Sequence, residues 1–306
     1  MSFDVLQEKI REKRNPTVAG LDPRLEHIPP HILKEAYGKY GETLAGAAEA
    51  LWQFNRGLID AFSDVVPAVK PQSAYYERLG WRGLETLERT IAYARERGLF
   101  VIADIKRGDI GSTAQAYSEG WLGTMKVGRA ECSAFNADCV TLNGYMGSDS
   151  IGPFLDTCRE LDKCVFVLAK TSNPGSGELQ DLPVGKDQVY QVMGDLIERL
   201  GGEAGKYGYT PAGAVVGATW PEQMRELRTR LSRTFFLVPG YGAQGGTAED
   251  VRYAFDDRGH GAIVNASRSL MCAWQKTGRD GMDYQEAARA AAVAMRDDIS
   301  RFVTVG

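Results

Sequence analysis

The sequence is poor in the residues that build metal centres, thiol chemistry and disulfide frameworks. Of its 306 residues, only five are cysteine and three are histidine. The cysteines are odd in number with no C-x-x-C spacing, and the histidines form no H-x-x-E or H-E-x-x-H pattern. These absences exclude a disulfide-rich fold, a zinc knuckle and a Cys/His nucleophile. They predict a reducing, cytoplasmic setting and a site without a metal ion.

The chain also lacks a long apolar run and a strong excess of one charge. There is no apolar stretch long enough to span a bilayer, and the opening MSFDVLQEKIREK predicts a charged amphipathic helix instead of a signal peptide. The formal net charge of −4 argues against a general nucleic-acid binder. We therefore expect neither a membrane nor a nucleic acid as a partner.

What the sequence does contain is a regular series of short apolar, β-branched runs. Runs that are apolar on both faces are typical of parallel strands buried beneath helices. Because helical patterns alternate with them and the composition never changes, the chain is predicted to be an α/β protein, a single-domain (β/α)₈ TIM barrel over residues 1–306. The eight runs cover residues 17–22, 68–76, 99–106, 137–143, 164–172, 212–219, 235–240 and 261–267.

Helices and loops are predicted between these strands from the spacing of apolar residues and from Pro and Gly. Long loops are expected at 23–42, which contains Pro and His, and at 173–187, which contains NPGSGELQDLPVG. The predicted helices cover residues 44–65, 83–97, 113–130, 185–201, 221–232 and 284–302.

Polar and charged side chains follow the predicted strands at their C-terminal ends, where the active site of such a barrel lies. An unpaired charge beside an apolar run is costly, so these acids and bases should pair with each other or with a ligand. The series comprises Asp22, Lys70, Asp104, Lys106, Asp109, Asn143, Lys170, Ser172, Thr219, Gln244 and Arg268.

The segment DIKRGDIGST, residues 104–113, contains the densest cluster of these charges. Asp104 and Lys106 are two residues apart on a strand, so their side chains should point to the same side. A lysine flanked by carboxylates keeps its proton, which suits a proton donor better than a Schiff-base nucleophile. The alternative interpretation is a structural salt-bridge network at the barrel mouth.

Two further segments, PGYGAQGG at 239–246 and NASRSL at 265–270, predict a phosphate site. Gly-rich turns after strands seven and eight recurrently bind phosphate in these barrels, and Arg268 would supply a guanidinium fork. The first segment also matches G-x-G-x-x-G, but no acidic residue ends the next strand to bind a ribose, so a dinucleotide fold is disfavoured. A plain Gly-rich loop is the other alternative.

Taken in order, these motifs resemble the orotidine 5′-monophosphate decarboxylase family. DIKRGDIGST resembles its D-x-K-x-x-D-I-x-x-T signature, and the likeness extends through GLDPR, AVKPQSAYYE, TSNPG, PGYGAQGG and NASRS, over roughly residues 17–270. The length and the GLDPR and KPQ wording resemble the longer bacterial, type 2 branch. One departure is Ser267, which stands where many members have Gly before the phosphate arginine.

The resemblance implies an activity and a role for each matching residue. It implies a lyase of pyrimidine biosynthesis that converts orotidine 5′-monophosphate to uridine 5′-monophosphate and CO₂. Lys106 would protonate C6 within a frame of Asp104, Asp109 and Lys70. The substrate would be held by Asp22, Thr113 and Lys70 at the ribose, Ser172 at the pyrimidine edge, and Gln244, Arg268 and the Ser267 backbone at the phosphate.

The resemblance further implies a homodimer in which Asp109 enters the neighbouring site. No electron-sink cofactor motif is visible in the sequence, so we expect no cofactor and purely electrostatic stabilisation of the C6 carbanion. Residues 245–250 and 173–187 are candidate lids. Two other hypotheses are a magnesium-dependent sugar-phosphate decarboxylase of the same barrel type and a non-catalytic nucleotide-binding barrel.

Overall fold

Eight parallel strands form a closed barrel in the computed structural model, which describes residues 2–306. The order of strands around the barrel follows the chain, and the last strand pairs with the first. All eight predicted strands and the (β/α)₈ architecture are confirmed, although the run 68–76 is wrong in its second half, because the strand ends at Pro71 and Ala74–Glu77 is a helix. The strands are β1 Thr17–Leu21, β2 Ala68–Pro71, β3 Phe100–Arg107, β4 Cys139–Leu142, β5 Cys164–Lys170, β6 Ala212–Val216, β7 Phe236–Val238 and β8 Ala262–Ala266.

Helices alternate with the strands and pack their apolar faces on the outside of the barrel. Within residues 2–306, no helix is long and apolar enough to cross a membrane. The α-helices are Ser2–Lys13, Pro30–Tyr40, Leu44–Phe62, Ala74–Glu77, Trp81–Glu96, Gly111–Trp121, Ser148–Leu161, Gly177–Gln180, Val189–Leu200, Pro221–Arg230, Ala248–Val251, Arg268–Met271 and Tyr284–Ser300. Single 3₁₀ turns lie at Leu25–His27, Gly144–Met146, Pro174–Ser176, Arg252–Ala254 and Ala273–Lys276.

The predicted loop at 23–42 is wrong, because most of it is helical. Pro30 occupies the first position of the helix Pro30–Tyr40, where its missing N–H costs nothing and its φ suits the helix. Ile32 and Ala36, four residues apart, are both buried. The sequence therefore has the spacing of a helix here, although its Pro and His residues favour the prediction of a loop.

The predicted helix at 113–130 is wrong in its second half. The helix Gly111–Trp121 is followed by an antiparallel pair of strands, Met125–Val127 with Ala130–Cys132. Gly128 and the residue after it form the two-residue turn, a connection that favours Gly at its first position. Such a short exposed hairpin has no buried face from which a sequence pattern could reveal it.

A second hairpin shortens the predicted helix at 185–201, which begins only at Val189. Pro183–Val184 pairs with Asp187–Gln188 around a turn that again starts with Gly. The expected loop at 173–187 therefore holds short turns and this hairpin. The remaining predicted helices are confirmed at Leu44–Phe62, Trp81–Glu96, Pro221–Arg230 and Tyr284–Ser300.

The N-terminal helix contributes to an aromatic core with side chains from the barrel strands. The ring of Phe3 lies 4.8 Å from that of Phe235 and 5.0 Å from that of Phe166, measured between centroids. All three side chains are buried. This apolar cluster fills part of the barrel interior and leaves the polar residues at the opposite, C-terminal ends of the strands.

Truncation of Phe166 to Ala should destabilise the barrel, because the ring is fully buried and its removal leaves a cavity that no other side chain fills. We expect the free energy of unfolding to fall by about 3–5 kcal/mol, measured by denaturant titration. Met282→Ala is the control, since Met282 is 70% exposed and should change stability by no more than about 0.5 kcal/mol. Equal effects of the two substitutions would contradict this account of the core.

Candidate active site

A cavity of about 780 Å³ opens at the C-terminal ends of the barrel strands. The charged cluster at the C-terminal ends of β2 and β3 and the segments at the ends of β7 and β8 line this same cavity. Sequence motifs that are far apart along the chain therefore form one site. Of the residues predicted for the site, those that line the cavity are Asp22, Lys70, Asp104, Lys106, Ser172, Gln244, Ser267 and Arg268.

Asp104 is the centre of the charged cluster, because three side chains bond to its carboxylate. Lys70 Nζ lies 2.7 Å from Asp104 Oδ2, and Lys106 Nζ lies 2.6 Å from Asp104 Oδ1. The Thr141 hydroxyl donates a third hydrogen bond, of 2.8 Å, to Oδ1. The Lys106 side chain is 45% exposed, whereas those of Lys70 and Asp104 are 5% and 8% exposed. Lys106 is therefore the ammonium group available to a ligand.

The backbone at Lys106 is strained, and its neighbours hold it in place. Its φ of +46° is unusual for a residue with a side chain and costs about 1–3 kcal/mol. Its N–H donates to the Thr141 hydroxyl at 3.0 Å, and the register between β3 and β4 shifts between Ala103 and Arg107. The predicted proximity of Asp104 and Lys106 is correct, but it depends on this irregular backbone as well as on strand alternation.

Opposite charges shift the pKa values of Asp104 and Lys70 towards their charged forms. Burial by itself would raise the pKa of Asp104, but the ammonium groups of Lys70 and Lys106 outweigh it and hold that pKa well below its usual range. Burial would likewise lower the pKa of Lys70, and the carboxylates of Asp104 and Asp22 outweigh it and raise that pKa. Asp22 Oδ1 lies 4.0 Å from Lys70 Nζ, so it completes a chain of alternating charges.

On the opposite side of the cavity, two glycines allow neighbouring segments of the chain to approach closely. A Cβ atom on Gly20 would lie 1.9 Å from the Ser267 hydroxyl, so only Gly fits beneath that residue. Gly240 has a φ of +101°, and a Cβ there would lie 3.2 Å from both Gln244 Oε1 and Ser172 Cβ. The β5 and β7 loops thus meet over Gly240.

Two predicted site residues, Asp109 and Thr113, lie outside this cavity. The Asp109 carboxylate accepts a hydrogen bond from the N–H of Ile110 at 2.8 Å, and Thr113 is exposed in the first turn of the helix Gly111–Trp121. Both residues follow the end of β3 at Arg107. Closeness along the sequence therefore does not bring these two side chains to the other eight within one chain.

Three residues named at strand ends have local structural partners. The Asn143 side chain accepts a hydrogen bond from the N–H of Tyr145, the Thr219 hydroxyl donates to the Ser172 carbonyl, and Lys170 pairs with Asp181. None of Asn143, Thr219 and Lys170 lines the cavity.

Sequence reasoning missed several residues that do line the cavity. Thr141 lies in β4 two residues before Asn143, so strand alternation offered a signal that was not used. Asn265 is only 9% exposed, and its Oδ1 has no hydrogen-bond partner although it lies at the cavity. Arg24 and His27 belong to the segment 23–42, for which the sequence predicts a loop.

Comparison with known proteins identifies the family to which this chain belongs. The model of the orotidine 5′-phosphate decarboxylase / HUMPS family matches residues 45–277. The chain belongs to this family.

Within residues 2–306, no group of three or more His, Cys, Asp or Glu side chains is arranged to hold a metal ion.

Individual relatives extend the family match to nearly the whole chain. It is 43% identical over 288 residues to an orotidine 5′-phosphate decarboxylase of Rhodopirellula baltica, covering 92% of this chain and 93% of that protein. It is 41% identical over 301 residues to an orotidine 5′-phosphate decarboxylase of Clostridium perfringens, covering 98% of each. The structure of Leishmania donovani OMP decarboxylase matches with a TM-score of 0.74 at 31% identity, covering 98% of both chains. The predicted resemblance to a bacterial branch of the orotidine 5′-phosphate decarboxylase family is confirmed.

Asp104 should make this decarboxylase-family protein sensitive to acid. Its folded-state pKa lies below the value of about 3.9 expected in the unfolded chain, so its contribution to stability is present above that pH and lost as the pH falls further. We expect the free energy of unfolding to fall more steeply between about pH 5 and pH 3 in the wild type than in Asp104→Asn, measured by urea titration.

The exposed Asp257 provides the matched control, and Asp257→Asn should keep the wild-type slope. Parallel curves for the wild type and Asp104→Asn would contradict the assignment of Asp104 as the centre of the cluster.

Proposed function

We propose that this chain decarboxylates orotidine 5′-monophosphate to uridine 5′-monophosphate, with Lys106 as the proton donor. One observation carries the proposal: the Lys106 ammonium faces the cavity while the buried carboxylate of Asp104 holds it at 2.6 Å. A second ammonium, that of Lys70, lies on the other side of the same carboxylate. Lys106 is thereby fixed in position before the substrate arrives.

The chemistry of orotate explains why such an ammonium is needed. When the bond from C6 to the carboxylate breaks, CO₂ leaves and the electron pair stays on C6 in an orbital that the ring π-system cannot delocalise. A fixed positive charge beside C6 stabilises that pair, and a proton then moves from Lys106 Nζ to C6. Solvent returns a proton to the neutral amine. The overall reaction therefore takes up one proton from solvent and releases one CO₂.

The rest of the substrate fits the remaining lining residues. Arg268, Gln244 and the backbone of Ser267 would bind the phosphate, because a guanidinium and N–H donors match its oxygens. Asp22 and Lys70 would face the ribose, and Ser172 the pyrimidine edge. Phosphate binding far from C6 can supply energy that orders the loops and desolvates the reacting carboxylate.

Asp109 and Thr113 enter this proposal through a homodimer. Both lie outside the cavity of their own chain, and the segments that follow β3 and β4 carry three exposed apolar side chains, Ile110, Tyr145 and Met146. A second copy packed on these side chains would cover them and would bring Asp109 and Thr113 to the neighbouring cavity. Asp109 would then join the charged frame, and Thr113 would face the ribose.

Two coarser properties complete the proposal. We place the enzyme in the cytoplasm, because all five cysteines are free thiols, as expected in a reducing compartment. We also treat residues 1–306 as one domain, since a single barrel and the helices packed on it account for residues 2–306.

Lys106→Ala tests the assigned proton donor. We expect turnover of orotidine 5′-monophosphate, followed by absorbance, to fall at least about 10³-fold, because both the fixed charge and the proton are lost. Binding of uridine 5′-monophosphate, followed by calorimetry, should remain measurable since the phosphate contacts persist. Lys126→Ala removes an exposed lysine and should leave both unchanged. Near-normal turnover in Lys106→Ala would remove Lys106 from the mechanism.

Subunit mixing tests the shared site. Lys106→Ala and Asp109→Ala should each be inactive alone, but a heterodimer of the two would contain one site with both native residues. After random exchange of equal amounts, we expect about a quarter of wild-type activity. Verified heterodimers without activity would place Asp109 and Lys106 of one chain in the same site, or remove Asp109 from it.

A further inference from the structure

Lys170 is a buried cation that the proposed chemistry does not use. Its side chain is 0% exposed, and its Nζ lies 2.6 Å from Asp181 Oδ1. The same Nζ lies 4.6 Å from the centre of the Trp220 ring and 5.7 Å from that of Tyr190. One carboxylate and two aromatic faces therefore form its surroundings, a combination that stabilises an ammonium group away from water.

A register shift brings Lys170 beside Val216 rather than into the barrel mouth. Leu168 of β5 pairs with Val215 of β6, but Val216 pairs with Lys170, where an unbroken register would place Ala169. Leu168 lines the cavity, and strand alternation alone would point Lys170 the same way. The extra residue re-aims the strand end, a use typical of bulges near functional sites.

Asp181 follows a residue that builds the cavity wall. The Gln180 side chain holds Thr171 twice: its Oε1 accepts from the Thr171 N–H at 2.9 Å, and its Nε2 donates to the Thr171 hydroxyl at 2.8 Å. The Trp220 indole N–H donates to the Thr171 carbonyl at 2.9 Å. Thr171, Ser172 and Gln180 all line the cavity. Lys170 and Asp181 flank the segment 171–180, so their ion pair holds the two ends of this segment together.

We propose that Lys170 and Asp181 are positioning residues that hold this wall in the arrangement that binds substrate. If Asp181 moved away, Lys170 would be left buried without its carboxylate, which is strongly unfavourable. The wall is consequently ordered before the substrate arrives, so binding does not have to supply that ordering. This inference rests on the proposed function, in which Ser172 contacts the pyrimidine.

Asp181→Asn is the primary test, because the Asp181 side chain is 33% exposed and the substitution keeps its shape. We expect KM for orotidine 5′-monophosphate and Kd for uridine 5′-monophosphate to rise about tenfold, with kcat changed less than about threefold, since substrate and transition state lose the same ordered wall. Asp181→Glu, which keeps the charge, should recover most of the affinity.

The double variant Lys170→Met, Asp181→Asn separates positioning from stability. It removes the pair without leaving a buried charge, so it should unfold at a higher temperature than Asp181→Asn while keeping the same raised KM and Kd. Asp156→Asn, which breaks the exposed pair with Arg159, should leave KM and Kd unchanged.

Two outcomes would overturn the proposal, and they differ in what else they overturn. Wild-type values of KM and Kd in both Asp181→Asn and the double variant, with only the unfolding temperature lowered, would make the pair purely structural and leave the proposed function intact. A wild-type protein that neither turns over orotidine 5′-monophosphate nor binds uridine 5′-monophosphate would overturn the proposed function and this inference together.

Discussion

The site depends on one buried carboxylate shared by two ammonium groups. Asp104 lies 2.7 Å from Lys70 and 2.6 Å from Lys106, so each of its carboxylate oxygens pairs with one lysine. Removing Asp104 would leave the buried ammonium of Lys70 with only the Asp22 carboxylate, at 4.0 Å, which is strongly unfavourable. The strained backbone of Lys106 persists because Thr141 bonds to both its N–H and the Asp104 carboxylate. The barrel supplies this rigidity by bringing β2, β3 and β4 side by side.

Much of this architecture could be predicted from the sequence, because the barrel repeats a simple pattern. Apolar β-branched runs and helical spacing recur, and every strand was located. The errors lie where local signals conflict or are absent. Pro30 and His31 favour a loop, although the apolar residues of this segment are spaced as in the helix that the structure contains. The two hairpins are exposed and very short, so no periodicity marks them.

The site was predicted less evenly than the fold, for a physical reason. Alternation along a strand correctly predicted that Asp104 and Lys106 lie together, and the glycine-rich segments after β7 and β8 pointed to Arg268. Alternation fails where the backbone departs from regular geometry, as at the register shift that diverts Lys170. Strand alternation also cannot identify residues that act only in the site of another subunit, which is the role proposed for Asp109 and Thr113. Thr141 and Asn265 were missed because uncharged polar residues in a strand stand out less than charged ones.

The central claim is that charged side chains of the protein stabilise and protonate the C6 carbanion without a metal ion. The most direct test follows the absorbance of orotidine 5′-monophosphate with the wild-type protein while EDTA is present. The account predicts stoichiometric conversion to uridine 5′-monophosphate at an undiminished rate. Absence of conversion, or activity that is abolished by EDTA and restored by magnesium, would contradict it.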